Sequence, residues 1–296
     1  MPGTPIDLHA HSAVSDGTES PAELVASALE AGIGTLAITD HDSTAGWAEA
    51  IGAARGTGLT IIPGMELSTN YGPASVHMLA YLFDPLNGAI ITETARIREG
   101  RLHRAERIVE RIAVDYPLTW DDVLAEATDD STLGRPHIAD ALVRKGYVTD
   151  RSAAFESILH WRSGYYEKYY APSPLEGVRM IVAAGGVPVL AHPATHGRYR
   201  PMTDDVIREL ADEGLFGLEL DHRDNTEEGK RELRRVAARY GLEITGASDY
   251  HGDGKPNRLG ENTTAPEVLE KLIDRASGTR PALGETPSSG PRGSDR

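Results

Sequence analysis

The stretch that decides the fold is Ile6-Asp7-Leu8-His9-Ala10-His11-Ser12, near the beginning of the 296-residue sequence. Residues 6–9 form a short apolar run, which predicts a buried strand. Residues two apart in a strand face the same side, so His9 and His11 can converge on one metal ion. Ligand-type residues that follow a strand are typical of barrels and open α/β sheets, whose sites collect at the carboxyl ends of strands.

The rest of the chain continues this pattern, with apolar runs separated by helical segments. Seven buried strands are predicted at residues 6–9, 35–39, 59–62, 76–82, 187–191, 217–220 and 242–246. We expect parallel strands covered on both faces, because each run is almost continuously apolar. Helix starts are marked by capping boxes at Ser20-Pro21-Ala22-Glu23 and Ser173-Pro174-Leu175-Glu176. This alternation predicts an α/β barrel or a doubly wound sheet.

Two regions depart from the alternation. Residues 92–170 are helical in pattern and contain no convincing strand, which predicts a helical subdomain inserted into a domain built from residues 1–91 and 171–277. Residues 278–296 are rich in glycine, proline and serine, which predicts a disordered tail.

Composition excludes several kinds of chemistry. The sequence has no cysteine, so any metal must bind imidazole and carboxylate groups. The motifs of phosphate-binding loops, dinucleotide-binding folds, serine hydrolases and zinc metallopeptidases are missing. Without an apolar run long enough to span a membrane or a secretory signal, we expect a cytoplasmic protein with no membrane partner. The net charge of −15 argues against a general nucleic-acid coat, although bound cations would invert the local field.

Potential metal ligands accompany almost every predicted strand. They are His9 and His11 after the first, Asp40-His41-Asp42 after the second, Glu66 after the third, His77 near the start of the fourth, His192 after the fifth, and Asp249 and His251 after the last. A single histidine at a strand end is usually a hydrogen-bonded structural residue. Six of the eleven histidines beside several acids are better explained by metal coordination, because buried polar groups without partners are costly.

These motifs resemble those of the PHP family, the polymerase and histidinol phosphatase domains. The matching stretches are Asp7-Leu8-His9-Ala10-His11-Ser12 with Ser15-Asp16-Gly17-Thr18, Ile38-Thr39-Asp40-His41-Asp42, Gly64-Met65-Glu66-Leu67-Ser68 with His77, Ala191-His192-Pro193, and Ser248-Asp249-Tyr250-His251. The resemblance implies an α/β fold, a distorted seven-stranded (β/α) barrel of the PHP type with an inserted helical subdomain. It also implies a trinuclear metal centre. From the ligand types we expect two or three divalent metal ions, among manganese, iron and zinc.

The resemblance further implies how the ions are divided among the ligands. One ion would take His9, His11, Glu66 and Asp249, a second would share Glu66 and take His77 and His192, and a third would take Asp16, His41 and His251. Asp7 and Asp42 would orient metal-bound histidines. Clustered ions lower the pKa of a bridging water, so that hydroxide is available near neutral pH, and they clamp the phosphoryl oxygens.

Within the family, the helical insertion resembles that of a branch of 3′,5′-bisphosphonucleotide phosphatases and 5′→3′ exoribonucleases. The resembling stretches are Gly134-Arg135-Pro136-His137-Ile138-Ala139, Lys168-Tyr169-Tyr170-Ala171-Pro172, and His192-Pro193 with Arg198-Tyr199. The candidate catalytic residues are His192, His196 and Arg135, and the candidate substrate contacts are Arg135, His137, Lys168 and Arg198. Arg135 is favoured because a guanidinium matches phosphate in a planar fork. Each of these side chains also has a structural interpretation, as a surface cation or a packed histidine.

Residues 96–111 form a locally basic segment of an acidic protein. It carries Arg96, Arg98, Arg101, Arg104, Arg107 and Arg111 against Glu99, Glu106 and Glu110. One interpretation is a solvated helix with ion pairs along its surface. The other is a helix that guides a nucleic-acid backbone towards the site. The nearby tyrosines at 165, 166, 169 and 170 would either pack or stack on a base.

Three functions remain open. The first is a metal-dependent phosphoesterase that hydrolyses phosphate monoesters or terminal phosphodiesters of a nucleotide or a short single-stranded RNA. The second is hydrolysis of histidinol phosphate at the same metal centre, and the third is a catalytically inactive metal-binding regulatory module. The complete set of ligands argues against the inactive module. The helical insertion favours the nucleotide substrate over histidinol phosphate.

Overall fold

The computed structural model describes residues 4–128, 131–195 and 202–284, which form a mixed α/β fold. Seven strands pair in chain order as one sheet: β1 (Ile6–Asp7), β2 (Thr35–Ile38), β3 (Thr60–Tyr71), β4 (Ala74–Tyr81), β5 (Val187–Leu190), β6 (Gly217–Asp221) and β7 (Glu243–Gly246). The helices in these ranges are α1 (Pro21–Glu30), α2 (Trp47–Ala54), α3 (Gly88–Ile112), α4 (Trp120–Leu124), α5 (Arg135–Arg144), α6 (Arg151–Glu156), α7 (Pro174–Ala183), α8 (Asp204–Asp212), α9 (Glu227–Tyr240) and α10 (Pro266–Arg275). None of these helices is long and apolar enough to cross a membrane.

The strand directions differ from the all-parallel arrangement that the sequence predicts. β1, β2 and β3 are parallel, as are β5, β6 and β7, but β4 is antiparallel to both of its neighbours. Only Gly72 and Pro73 separate β3 from β4, and so short a turn can join antiparallel strands only. Gly72 has a φ of 59°, which glycine adopts without strain. As a result, β4 begins at the end of the barrel where the parallel strands finish.

The seam between β1 and β7 closes the barrel with few backbone hydrogen bonds. Ala10 and Tyr250 form an isolated parallel bridge across it. The buried carboxylate of Asp7 strengthens the seam, since it accepts hydrogen bonds from the backbone N–H groups of Ser248 at 3.0 Å and Gly260 at 2.9 Å. The distorted seven-stranded barrel is therefore confirmed. The predicted role of Asp7 in orienting a histidine ring is corrected, because its carboxylate joins the two edges of the sheet.

Alternation along the strands separates two apolar layers. The larger layer lies between the sheet and the helices α1, α2, α7, α8 and α9. The smaller layer lies on the other face of the sheet and includes Leu272 of α10. In β6, Leu218 and Leu220 belong to the helix-facing layer, so Glu219 between them faces the inside of the barrel. The barrel interior thus receives a buried carboxylate.

Both predicted capping boxes are present. Ser20 caps α1 and Ser173 caps α7, and in each helix a glutamate three residues later completes the box. These caps place two helix starts on the outer side of the barrel, as the sequence indicated.

The helices α3 to α6 lie between β4 and α7 in the chain. They share an apolar cluster of their own, which includes Ile108, Ile138 and Leu142. Thr132 donates its backbone N–H to the carbonyl of Val14 at 2.9 Å, which joins this helical segment to the loop after β1. The helical segment therefore packs over the loop that carries Asp16.

Residues 278–284 differ from the predicted disordered tail. Ala282 exchanges two backbone hydrogen bonds with Ile61, at 2.8 and 2.9 Å, and Gly284 donates to the carbonyl of Leu59 at 3.1 Å. The reason is an open strand edge, because β4 pairs with β3 only from Gly64 onward. The chain after α10 fills that edge. Residues 285–296 lie outside the described residues.

Candidate metal centre

Glu66 lies at the centre of the candidate site, inside β3 rather than after it, because this strand continues to Tyr71. Its buried carboxylate meets five histidine rings from four parts of the chain. Oε2 lies 3.4 Å from His9 Nε2, 3.1 Å from His11 Nε2 and 3.1 Å from His41 Nδ1, and Oε1 lies 2.7 Å from His77 Nδ1 and 3.1 Å from His192 Nε2. His77 reaches this carboxylate because β4 runs antiparallel to β3.

Four ligand-type atoms converge in the best-defined group: Nε2 of His9, Nε2 of His11, an oxygen of Glu66 and an oxygen of Asp249. The two Nε2 atoms are 3.0 Å apart, and each lies 3.4 Å from Oδ1 of Asp249. Ligands that sit about 2.1 Å from one ion are themselves about 3.0 to 3.4 Å apart. The spacing of these atoms is therefore that of one coordination shell, and its members are the first predicted set.

Two further groups overlap with the first. One contains His11, Asp16 and His41, and the other contains His41, Glu66 and His77. His251 joins the former, since its Nε2 lies 3.1 Å from Oδ1 of Asp16. His41 lies between two groups, because its Nε2 faces Asp16 at 3.6 Å, as in the predicted set, while its Nδ1 faces Glu66.

Two buried ring nitrogens, Nδ1 of His41 and Nε2 of His251, lie 3.1 Å from carboxylate oxygens of Glu66 and Asp16, but neither has a contact of hydrogen-bond geometry within the described ranges. Leaving such a group unsatisfied costs about 1–3 kcal/mol. A divalent cation would accept both lone pairs, and it would balance the carboxylates of Asp16, Glu66 and Asp249. Imidazole and carboxylate donors suit manganese, iron and zinc. The residues present therefore fit a divalent metal centre.

Burial and mutual charge shift the pKa values of these groups. Burial raises the pKa of Glu66, but His41 and the other nearby histidines outweigh it and hold that pKa well below its usual range. Burial, together with nearby Lys255, lowers the pKa of His251 to about 4. Burial also lowers the pKa of His11, but the carboxylates around it outweigh this and raise it to about 9. Metals bind the neutral imidazole, so metal binding at His11 would release a proton near neutral pH.

Backbone strain concentrates at the ends of the strands. Asp42, His192 and Asp249 have φ values of 52°, 29° and 54°, in the left-handed region that non-glycine residues rarely adopt. Each such residue costs on the order of 1–3 kcal/mol, and such strain collects at functional sites. Three independent strand ends thus hold their side chains in conformations that the folded barrel enforces.

Glu219 is a site residue that the sequence analysis missed. Its Oε1 lies 2.9 Å from Nδ1 of His9, and its Oε2 accepts the backbone N–H of His192 at 2.8 Å. A proton on Nδ1 of His9 leaves the Nε2 lone pair for a metal ion, so Glu219 fixes the useful tautomer. The available signal was a glutamate between two leucines in an otherwise apolar strand.

The predicted role of Asp42 is corrected in the same way. Its carboxylate accepts hydrogen bonds from the backbone N–H and the hydroxyl of Ser68, both at 2.7 Å, and no histidine ring among the described residues donates to it. Asp40 performs the orienting role instead. It accepts the Ser15 hydroxyl at 2.7 Å, and that hydroxyl lies 3.2 Å from Nδ1 of His11.

A cavity of about 440 Å³ adjoins the cluster of ligand-type residues. One wall carries members of that cluster, and the facing wall comes largely from the helical segment between β4 and α7. The first wall includes Asp16, His41, His77 and His251, and the second includes Arg101, Arg104, Arg135, Arg151, Phe155, Tyr166, Lys168 and Tyr169. A polyanion would therefore meet cations on one side and ligand-type groups on the other.

Two of the predicted substrate contacts, Arg135 and Lys168, line this cavity. The guanidinium of Arg135 lies over the rings of Phe155 and Tyr166, at 5.1 and 5.6 Å from their centroids. Stacking of this kind holds the planar group in place at the wall of the cavity.

The remaining predicted residues are placed differently. His137 is buried in the first turn of α5 and does not line the cavity, and its Nδ1 accepts the backbone N–H of Gly134 at 3.3 Å. That contact favours a helix-capping role, and the substrate contact of His137 stays a prediction. His192 belongs to the cluster around Glu66. His196 and Arg198 lie outside the described residues.

The basic segment contributes two buried arginines to the cavity. Arg101 lies 3.4 Å from Oδ2 of Asp42 and so has a carboxylate partner. Arg104 stacks on Tyr169 at 4.3 Å, its Nε has no hydrogen-bond partner, and it makes no ion pair within the described part of the chain. Burial, with Arg135 close by, lowers the pKa of Arg104 to about 9. Among the described residues, Arg104 is thus a buried cation without an anionic side chain beside it.

The outer face of α3 matches the interpretation of a solvated helix with ion pairs along its surface. Arg107 and Arg111 are partly exposed and pair with Glu167 at 3.4 and 2.5 Å, and Arg96 stacks on Tyr170 at 3.5 Å. One side of α3 is therefore solvated, while the other side faces the cavity.

A seven-stranded barrel that gathers histidines and carboxylates around one buried glutamate is typical of metal-dependent hydrolases. The PHP domain model matches residues 7–116. The 3′,5′-nucleoside bisphosphate phosphatase of Chromobacterium violaceum is 32% identical over 270 residues, which cover 90% of this chain and 94% of that protein. The 5′-3′ exoribonuclease of Haemophilus influenzae is 32% identical over 260 residues, which cover 86% and 93%. The chain belongs to the PHP family, as its motifs indicated.

The fold of a relative with a solved structure is similar to the fold of this chain. A crystal structure from Bifidobacterium adolescentis, assigned as a metal-dependent phosphoesterase, superposes with a TM-score of 0.90 at 43% sequence identity, over 93% of this chain and 98% of that one. The protein is therefore a hydrolase of phosphoester bonds, and its site binds divalent metal.

Proposed function

We propose that this enzyme hydrolyses phosphate esters of nucleotides, either a 3′,5′-bisphosphonucleotide or the 5′ end of a short RNA. The observation that carries the proposal is Arg104. A buried guanidinium without a carboxylate costs free energy, which an anionic ligand would recover. A second phosphate on the substrate is an anion that offers two oxygens to the planar fork of a guanidinium.

The geometry of the cavity supports two phosphate positions. The reacting phosphate would lie at the wall that carries the ligand-type residues, and the second would lie between Arg104 and Arg135. Tyr166 and Tyr169 border the same cavity, so a base between the two phosphates would find an aromatic surface. The names of the Chromobacterium and Haemophilus relatives, a nucleoside bisphosphate phosphatase and an exoribonuclease, agree with this substrate class.

Two or three ions of manganese, iron or zinc would be held by the predicted sets. The first set is His9, His11, Glu66 and Asp249, the second is Glu66, His77 and His192, and the third is Asp16, His41 and His251. Such ions, when bound, lower the pKa of a water and balance charge on phosphoryl oxygens. The chain orients the rings that bind them through Glu219 and Asp40, and Arg104 and Arg135 hold the substrate in line.

The protein purified without chelator is expected to contain two or three divalent ions per chain. The overlapping groups around Glu66 and Asp16 offer that many positions. Elemental analysis measures the ion content, and dialysis against a chelator should remove both the ions and the activity, with manganese restoring it. A protein that contains no metal and is not activated by manganese would contradict the metal centre.

The substrate class is tested with the metal-loaded enzyme and four esters: adenosine 3′,5′-bisphosphate, AMP, a short 5′-phosphorylated RNA and histidinol phosphate. We expect kcat/KM to be about 100-fold higher for the bisphosphate or the RNA than for AMP or histidinol phosphate, because one charge-assisted contact contributes about 2–3 kcal/mol. Released phosphate and nucleotide are measured directly. Histidinol phosphate hydrolysed as efficiently as the nucleotides would overturn the proposal and leave the phosphoesterase class standing.

A further inference from the structure

A lysine in the loop after β7 adjoins the ligand-type cluster without belonging to it. Nζ of Lys255 lies 2.8 Å from Oδ2 of Asp249, and Nε2 of His222 lies 3.4 Å from the same oxygen. The other oxygen, Oδ1, faces Nε2 of His9 and of His11 at 3.4 Å. The two oxygens of Asp249 thus have separate partners. Lys255 contacts Oδ2, and Oδ1 stays available to bind a metal ion.

The loop that carries Lys255 is held on both sides of it. Asn257 donates from Nδ2 to the carbonyl of Ser248 at 2.7 Å, and the backbone N–H of Asp253 donates to the hydroxyl of Thr18 at 2.9 Å. These bonds join the loop to the end of β7 and to the loop after β1. The position of the lysine is therefore set by the barrel.

Lys255 also borders two cavities that meet at the ligand-type cluster. The first is the cation-lined cavity described above, and the second has a volume of about 420 Å³ and shares six lining residues with it, among them His41, His77 and Lys255. Among the described residues that line the second cavity, Lys255 is the one lysine or arginine, against Glu66, Glu156, Asp224 and Asp249. Its side chain is 39% exposed and borders both cavities beside the cluster.

We infer that Lys255 is a catalytic residue, which contacts the phosphoryl group of the substrate and stabilises the negative charge that develops on it. This inference rests on the proposed function and names a further group in that site. An ammonium has three donors and Asp249 takes one, which leaves two for phosphoryl oxygens. As water adds to phosphorus, the ester P–O bond breaks, the alcohol leaves with one proton of that water, and Lys255 keeps its own proton throughout.

A structural role for the same lysine makes different predictions. If Lys255 only neutralised Asp249, its replacement would weaken metal binding and stability, and phosphate affinity at full metal occupancy would not change. Glutamine separates the two roles, because it keeps an N–H donor for Asp249 and removes the charge. Arginine keeps both the charge and the donors. Lys271 in α10 provides a matched control. It is an exposed lysine that, like Lys255, pairs with a carboxylate, Glu243, at 2.7 Å, but it does not line either cavity.

The experiment compares metal-loaded wild type with Lys255→Gln, Lys255→Arg and Lys271→Met. Metal content is measured by elemental analysis, the Kd of inorganic phosphate by calorimetry, and kcat/KM with adenosine 3′,5′-bisphosphate and p-nitrophenyl phosphate. We expect Lys255→Gln to keep its metal, to bind phosphate about 10-fold more weakly and to lower kcat/KM for both esters about 100-fold. Lys255→Arg should recover part of both losses, and Lys271→Met should match wild type.

Two results would overturn the inference: a Lys255→Gln protein with full metal and phosphate affinity within about twofold of wild type, or one whose losses disappear when metal is added. Neither result bears on the nucleotide preference, which is measured with the wild-type enzyme, because inorganic phosphate and p-nitrophenyl phosphate carry no nucleoside. A failure of Lys255 and a failure of the proposed substrate are therefore distinguishable.

Discussion

The Glu66→Gln enzyme is expected to hydrolyse its substrate on the order of 10³- to 10⁴-fold more slowly than wild type, because several kcal/mol of metal-derived charge stabilisation would be lost. Glu66 meets five histidine rings, and its carboxylate is ionised since the histidines hold its pKa well below the usual range. An amide of the same shape provides neither the charge nor a second acceptor oxygen. All the sets of ligands that share Glu66 would therefore be weakened together.

The fold of this variant should persist. Glu66 pairs with Leu79 through the backbone in the β3–β4 ladder, and the substitution leaves that pairing intact. Circular dichroism and Tm check the fold, elemental analysis checks the metal content, and steady-state kinetics check turnover. Glu213→Gln is the matched control, because Glu213 is an exposed glutamate that pairs with Arg179. A Glu66→Gln protein with full metal content and near-wild-type turnover would show that the carboxylate of Glu66 is required neither for metal binding nor for catalysis.

The Arg104→Met enzyme is expected to lose about 100-fold in kcat/KM for adenosine 3′,5′-bisphosphate, since one charge-assisted phosphate contact contributes about 2–3 kcal/mol. Hydrolysis of p-nitrophenyl phosphate should change little, because that ester has no second phosphate. The comparison of the two esters therefore isolates the contact that Arg104 makes. Equal losses for both esters would show that Arg104 supports the site as a whole.

The same substitution is expected to raise the stability of the unliganded protein. Arg104 is buried without an anion, and methionine replaces it with an apolar side chain of adaptable shape. Burial lowers its pKa from the ordinary arginine range to about 9 in the fold, so below pH 9 the folded protein holds a charge that it disfavours. The gain in Tm should be full at pH 7 and should shrink as the pH rises above about 9.

A neighbouring arginine provides the control for both measurements. Arg107 lies on the solvated face of α3, is 45% exposed and pairs with Glu167. Arg107→Met should leave both kcat/KM values within about twofold of wild type, because exposed ion pairs contribute only about 0–1 kcal/mol. It should also give no gain in Tm. A gain in Tm from Arg107→Met equal to that from Arg104→Met would show that burial of the charge is not the cause.

The sequence by itself determined the types of ligand and the order of the strands. His9 and His11 follow a short apolar run, Glu66 and His192 accompany others, and the structure gathers all of them. The sequence also predicted the helix starts at Ser20 and Ser173 correctly, from their capping boxes. Such features are local, because side-chain alternation and capping depend on residues a few positions apart. The same motifs indicated the family before any fold was known.

Only the tertiary structure decided how these residues are paired. The direction of β4 follows from the turn after Tyr71, and it alone brings His77 to Glu66. The contact between Glu219 and His9 joins residues 210 positions apart. Arg104 is one of six arginines in its segment, and only the packing of α3 buries it while others face solvent. Burial and pairing of this kind arise from the register of distant elements, which no local pattern encodes, and they decide which of the polar residues form the site.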